Sequence, residues 1–497
     1  MPINLPTALQ LAGSAPIDIA VASERIRAAA AQLDRADVLW LPTVFLGVDY
    51  YRHDGQIQET AGPVSGVSRS SFMAGAGPSA VFAITDALFE PLAARQVLRA
   101  RQADLQTASN DSLLAVAEAY FTVQQARGEL AGAEDAVKQA DELVRRADKL
   151  APGLVPPVEA IRARTEASRR RQARDAARER WRIASAELNR LLRLDAATLV
   201  QPLEPPHLRV TLLEGDFKVD DLIPIALTSR PELASQQALV QATLQKMREE
   251  RLRPLIPSVL LRGSSTPVTG TLAGGVYGGG PNSDMSNFSA RSDFDVQVLW
   301  EFQNLLCGNR AKVRERRAEN QVAVLELFRL QDRVAAEVAQ AHAQVVSANS
   351  RAVDAEKGLK DALESMEKNF EGLSQTKRPG GDVLILVIRP AEVVAAVQAL
   401  AQAYTDYYSA VADANRAQFR LYRALGHPAG LITQPDKLCQ PTSMPCEAPK
   451  ALPREVPKTV TPPDTSAKVV PATATTNETP PPKKARKSTE SQFAVDR

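Results

Sequence analysis

Side chains able to do chemistry are scattered along this 497-residue chain rather than gathered. The four histidines, His53, His207, His342 and His427, have no cysteine or acid at ligand spacing, so no zinc-type set forms. Cys307, Cys439 and Cys446 give no metal spacing either. Cys439 and Cys446 could pair in an oxidising compartment, although both sit in a Pro-rich tail. Cys307 falls at a strand-to-helix join and reads as structural. The run TLAGGVYGGG lacks the Lys-Ser/Thr of a phosphate-cradling loop and reads as a flexible loop. No Ser/His/Asp or Cys/His set stands out, so the expectation is a protein without catalysis, cofactor or metal. RRRQARDAARERWR, from Arg169, mixes both signs on a helix. It suits a solvated face with i,i+4 pairs, or a surface for an acidic partner. Asp382, just ahead of an apolar run, would make a normal helix N-cap.

What would position such residues is legible in composition and period. Lys plus Arg total 60 against 58 Asp plus Glu, a net charge of +2, so no basic field points to nucleic acid. Aromatics make up 5%, and Ala, Leu, Arg, Glu and Gln fill long stretches, the composition of long packed helices. No run of about 18 apolar residues exists, which excludes a spanning helix. A membrane crossing would then need strands of a closed barrel. No basic start followed by an apolar core comes after Met1, so export expects a leader that is missing here.

An internal repeat organises the chain. Pro16 and Pro231 are 215 residues apart, and so are Pro42 and Pro257. PIDIAVASERIRAAAAQLDRADVLWLPTV aligns without a gap on PELASQQALVQATLQKMREERLRPLIPSV, and RQVLRARQADLQ on RAKVRERRAENQ. The first repeat spans residues 1–215, with a hairpin over about 43–86 and long helices over about 90–195. The second spans 216–430, with a hairpin over about 258–302 and helices over about 305–425. The tail, 431–497, is rich in Pro, Thr and Lys and lacks a core-forming pattern, so disorder is expected.

Within each repeat the spacing predicts a helix, a hairpin, a long helix, a tip and a return helix. The first helix runs from Leu5 to Leu39 and stops at Pro42. Val44, Leu46, Val48 and Tyr50 share one face of a strand over Thr43–Tyr51. A second, weaker strand runs over about Ala74–Thr85, with Pro78 giving it an irregular, edge-like start. Phe294, Val296, Val298, Trp300 and Phe302 alternate with acids and Gln297, as a lipid-facing side opposite a watery lumen would. The same alternation fits a half-buried strand of a soluble sheet. Arg52–Ser71 and Thr266–Ser289 read as polar, Gly-rich loops. Heptad seams follow, from Val116 to Ala147 and from Val338 to Met366, with alanines that imply close helix approach. A helix over Cys307–Leu373 would be roughly 100 Å long, more than a compact globular domain holds. Tips fall near Leu150 and Gln375. Return helices cover about Val158–Leu194 and Val383–Leu425.

This order resembles the TolC family of outer membrane efflux proteins. LPTALQLA, RPELASQQALVQA with LIPSV, FEPLAARQVLRARQAD, FQNLLCGNRAKVRERRAE, GLVPPVEAIRAR, GGDVLILV and FRLYRALGHP carry the resemblance over residues 1–430. It implies a mainly α fold with a membrane β-barrel portion: a homotrimer with a shared twelve-stranded barrel and a helical periplasmic tunnel. It implies residence in the outer membrane, in contact with its lipid. The implied partners are a periplasmic adaptor (membrane fusion) protein and an inner-membrane efflux pump or ABC transporter, for efflux or type I secretion. It also implies a gate at the tips. Asp382 stands where the family carries the first acid of a closing ring, with Ile385 in place of the next. Glu159 and Arg378 stand where a latch between tips would be, with Leu373 in place of its aromatic partner. A soluble coiled-coil scaffold is the competing reading; it fits the heptads and the missing leader but not two hairpins at matching places.

Overall fold

The computed structural model describes residues 1–427 apart from 15, 42, 59, 151–153, 214–216, 263–271, 273, 283 and 378–384. In the first half, β1 (Pro2–Ile3) and α1 (Leu5–Ser14) lead to α2 (Ile17–Asp37), β2 (Thr43–Gln58) and β3 (Val64–Ala83). They are followed by α3 (Ile84–Leu150), α4 (Pro157–Leu192) and β4 (Gln201–Pro202). The second half runs through α5 (Val219–Ser229), α6 (Pro231–Leu252), β5 (Ser258–Arg262), β6 (Gly274–Pro281), β7 (Ser289–Ser292) and β8 (Asp295–Leu299). It ends with α7 (Cys307–Leu373), β9 (Thr376–Lys377), β10 (Ile385–Leu386) and α8 (Pro390–Ala424).

The helices are packed by their alanine seams. Along α3, Val116, Val123, Leu130, Ala140 and Ala147 are buried, the spacing expected of a heptad stripe. α3 packs on α2, α4, α6 and α8, so it stands at the centre of the helical layer. Gly128 and Gly132 bring α8 unusually close. A Cβ at Gly128 would lie 2.5 Å from the Tyr408 ring, and one at Gly132 would lie 2.6 Å from Tyr404. Those two tyrosines stack at 6.4 Å, and Tyr404 Oη donates to Asp135 at 3.1 Å. α7 is as long as α3, 67 residues each, and packs on α5, α6 and α8.

The single first helix expected over Leu5–Leu39 is instead two. Pro16 caps the start of α2, and a proline has no amide to continue α1 through it. The second return helix starts at Pro390 rather than near Val383, because Arg389–Pro390 is a preferred extended-then-N1 step.

The hairpins also differ from expectation. Arg52–Ser71, read as a loop, is mostly strand: β2 pairs with β3 without a break from Thr43↔Ser79 to Gln58↔Val64. Most of TLAGGVYGGG is likewise strand, β6, paired with β3 and β7. Glycine composition misled here, because the glycines serve interstrand approach rather than mobility. A Cβ on Gly75 would lie 2.1 Å from the Gly274 carbonyl oxygen. Pro78 sits inside β3, opposite the interval between its β6 partners (through Ala76) and its β5 partners (from Ser79). A missing amide costs no ladder bond on that side.

Candidate functional site: sheet face and helical tip

β5 and β6 pair with successive stretches of β3, and β8 and β7 pair with β5 and β6 in turn. The result is a four-layer antiparallel order: β2, then β3, then β5 with β6, then β8 with β7. Residues directly opposite in such a ladder share a face. Val44, Leu46, Val48 and Tyr50 of β2 therefore share one face with Phe72 and Ala74 of β3. Val276 and Ala290 lie on it through β6 and β7. Val259, Val296 and Val298 continue it through β5 and β8. The opposite face carries Gly47, Asp49, Ser71, Gly75, Gly275, Arg291, Asp295 and Gln297.

The apolar face is open. Leu46 is 81% and Val48 is 72% exposed, and Trp300 and Phe302, beyond β8, are also exposed. On the polar face, Arg291 lies over the Tyr277 ring and its Nε donates to Asp293 at 2.7 Å. Gln297 donates to Asp295 at 2.9 Å. Both outer strands keep a free edge: among the described residues β2 pairs only with β3, and β8 only with β5.

At the far end of the helices, α3, α4, α7 and α8 meet in a core of Leu143, Ala163, Phe370, Leu373, Val397 and Leu400. Arg146 stacks on the Phe370 ring at 4.9 Å and donates to the Phe370 carbonyl at 3.1 Å. Leu373, at the position where a latch would need an aromatic, is fully buried in this core. Glu159 sits in the first turn of α4, where a carboxylate meets the favourable end of the helix dipole. Its Oε1 accepts from Arg162 at 2.8 Å, and its Oε2 is buried without a hydrogen bond among the described residues. Of the three expected gate positions, Asp382 and Arg378 lie outside the described residues. Ile385 pairs with Lys377 in the short β9–β10 ladder.

Several ionic sites went unseen in the sequence, because their partners lie far apart along the chain. Glu166, only 2% exposed, accepts from Gln398 at 2.8 Å and faces Arg170 at 2.7 Å, tying α4 to α8. The basic run beginning at Arg169 is partly interhelical: Arg171 reaches Asp141 at 2.7 Å and Arg180 reaches Glu129 at 3.1 Å, both on α3. Buried Arg230 bridges Glu232 and Glu337, and Arg423 joins Glu232 to Asp111. Burial raises the Glu232 carboxyl above its ordinary range, with Arg230 opposing the shift. Between helices and sheet, Arg253 lies among Asp86, Glu249, Glu250 and Glu301. Desolvation and the acids Asp86, Glu90 and Glu250 push Glu249 up to about 7 against the pull of Arg253.

Cys307 is exposed and unpaired at the first residue of α7. Cys439, Cys446 and the tail lie outside the described residues. His342 contacts the Phe217 carbonyl oxygen at 2.9 Å and His427 stacks on Tyr422. No group of three metal-ligating side chains occurs among the described residues.

A sequence model of the outer membrane efflux protein family matches residues 8–192. No curated protein matches by sequence. Among solved structures, the outer-membrane channel OprN is similar with a TM-score of 0.67 at 17% identity, over 85% of this chain and 89% of that one. The CmeC outer membrane channel of Campylobacter jejuni gives 0.65 at 15%, over 85% of each chain. The outer membrane protein VceC of Vibrio cholerae gives 0.64 at 15%, over 85% of this chain and 96% of that one.

Proposed function

We propose that the chain is an outer membrane efflux protein, as the family match over residues 8–192 supports, and that three copies close into one outer-membrane channel with a periplasmic helical tunnel. The observation that carries this reading is the continuous apolar sheet face ending at two free edges. In lipid an unpaired backbone group costs several kcal/mol, so neither edge can stay open there. The β8 side of one copy suits the β2 edge of the next, and three four-stranded contributions make a twelve-stranded barrel. No described helix is long and apolar enough to cross a membrane, which leaves the sheet as the crossing element.

The helices carry the same asymmetry. On the β2 side, α2 exposes Ile17 and Val21; on the β8 side, α7 exposes Val322, Leu325, Phe328, Val346 and Val353. These apolar stripes support helix contacts between copies. A soluble coiled-coil scaffold gives the sheet face no purpose. The family is one of channels rather than enzymes, and the chain acts as a conduit that takes its substrate from other components. A periplasmic adaptor docks near the tips and an inner-membrane efflux pump or ABC transporter drives export. We also read residues 1–215 and 216–430 as one duplicated unit, with 431–497 as a tail outside it.

At the tip, Asp382 supplies an acidic ring, and Glu159 with Arg378 a latch repeated three times. The unsatisfied, buried Oε2 of Glu159 supports a second cation reaching it besides Arg162. Three carboxylates around a narrow opening favour cations. The test is single-channel conductance of the chain, expressed with an added signal sequence, in a planar bilayer. Small cation-selective steps that enlarge on Asp382→Ala are expected. A soluble protein with neither conductance nor a heat-resistant trimer would remove the channel.

A further inference from the structure

We propose that the cleft between α6 and α7 at the foot of the sheet binds the phosphate headgroup of a phospholipid from the surrounding bilayer leaflet. The proposal rests on the sheet lying in the membrane. The cleft, of about 680 Å³, is lined by Arg251 and Pro254 from the end of α6 and by Leu306, Arg310, Val313 and Arg314 at the start of α7. Three arginines thus border one space together with apolar side chains.

None of these three arginines has a carboxylate partner among the described residues. Their neighbour Arg253, two residues from Arg251, reaches Asp86, Glu249, Glu250 and Glu301. Acids are therefore at hand in this part of the molecule, and the cleft is built without them. Three exposed arginines bordering one space can share an anion, and a phosphate has the oxygens to accept from more than one guanidinium fork at once.

The first repeat supplies an internal control. The positions 215 residues earlier than Arg251, Arg310 and Arg314 are Ala36, Arg95 and Arg99. There one guanidinium is replaced by a methyl group, and Arg95 pairs with Asp37 at 3.5 Å. The counterpart of Asp37 is Leu252, which removes that carboxylate from the second repeat. The cleft around Ala36 also contains Asp86 and Glu90 beside Arg35 and Lys246, and so neutralises itself.

Position in the molecule selects a lipid over a soluble phosphate. The apolar alternation of β8 runs on to Trp300 and Phe302, and aromatic residues form the girdles of a membrane barrel at its boundary with water. Leu305, 91% exposed, immediately precedes Leu306 of the cleft, and Leu255, 71% exposed, follows Pro254. Acyl chains have an apolar wall to lie against, and the headgroup phosphate meets arginines where basic pockets hold acidic lipids.

The experiment is native mass spectrometry of the full-length trimer in detergent, titrated with phosphatidylglycerol, with diacylglycerol as the phosphate-free probe and inorganic phosphate as the lipid-free one. Up to one phosphatidylglycerol per chain is expected to survive detergent removal, with neither control probe retained. Changing Arg251, Arg310 and Arg314 together to Gln should cut retention about tenfold or more, because one charge-assisted hydrogen bond is worth roughly that factor. Arg95→Gln should leave retention unchanged. Should the triple variant not assemble, Arg314→Gln alone is read in the same way. Retention equal to wild type overturns the site. So does a trimer that falls apart with the Gln variants and is kept by Lys, since the arginines would then hold a second copy of the chain. Retention of free phosphate without lipid also overturns it. A wild-type chain that conducts in bilayers yet retains no lipid sinks the site alone; one that neither inserts nor conducts sinks the channel reading with it.

Discussion

The two 67-residue helices, α3 and α7, follow the same helix grammar and live in different surroundings. α3 is enclosed by α2, α4, α6 and α8, whereas α7 leaves a side uncovered beyond α5, α6 and α8. α3 accordingly buries large side chains such as Tyr120, Phe121 and Leu130, while α7 leaves Val322, Leu325 and Phe328 in the open. In a self-contained fold such an apolar stripe would be a liability; at the edge of a ring it is where the next copy joins. The seam serves the chain's own core in both helices, Val338, Ala348 and Ala352 of α7 being buried too; what α7 adds is a second apolar stripe that, on our reading, serves the assembly.

The sharpest way to break this contrast is to empty each helix in turn. Phe121→Ala, at a fully buried site against Phe419, should cost about 3–5 kcal/mol in denaturant unfolding of the detergent-solubilised protein. Phe328→Ala should change that midpoint little and instead lower the temperature at which the trimer separates on a gel. Equal effects would mean that α7 is not an assembly surface.

Protonation separates the repeats next. Glu249 of the second repeat has its carboxyl raised to about 7 by burial and neighbouring acids, whereas Asp34, 215 residues earlier, is exposed. The folded chain holds the Glu249 proton through a window where the unfolded chain has lost it. Stability from this group is therefore greatest below about pH 4.5, falls as pH rises toward 7, and stays level above that. On the scale of pKa shifts the loss is on the order of a few kcal/mol. Glu249→Gln should flatten stability measured between pH 5 and 8, and Asp34→Asn should not.

Glycines give a smaller, signed test. Gly132→Val forces a side chain into the Tyr404 ring and should destabilise by about 1–3 kcal/mol. Gly358, on α7, has open space where a Cβ would stand, so Gly358→Ala should stabilise by about 0.8–1 kcal/mol through helix propensity alone. Thermal midpoints with opposite signs would sustain the contrast between an enclosed and an edge helix.

Much of this was legible along the chain. The heptad stripe of α3 and the bounds of α7 follow from spacing of 3 and 4, and the β8 alternation from a period of 2, because both periods are local properties of the backbone. Loops were harder. The Gly-rich segment at 274–280 reads as mobile in one dimension and becomes strand only because Gly75 of β3 is there to receive it. Of the gate positions expected from the family pattern, Glu159 lies among the described residues, where its partner Arg162 is a local neighbour.

The sequence by itself determined which residues prefer helix or strand and where prolines stop them. Only the tertiary structure decided which strand faces add up. Period 2 marks an apolar side on β2 and another on β8, but whether they are the same side of one sheet depends on register through β3 and β5, where a one-residue slip would turn every side chain over. Ion pairing was likewise decided in three dimensions. Arg253 meets carboxylates from α3, α6 and the residues after β8, while Arg251, two residues away, meets none among the described residues. A charge is local to its residue; its compensation depends on what the fold brings within a few ångströms.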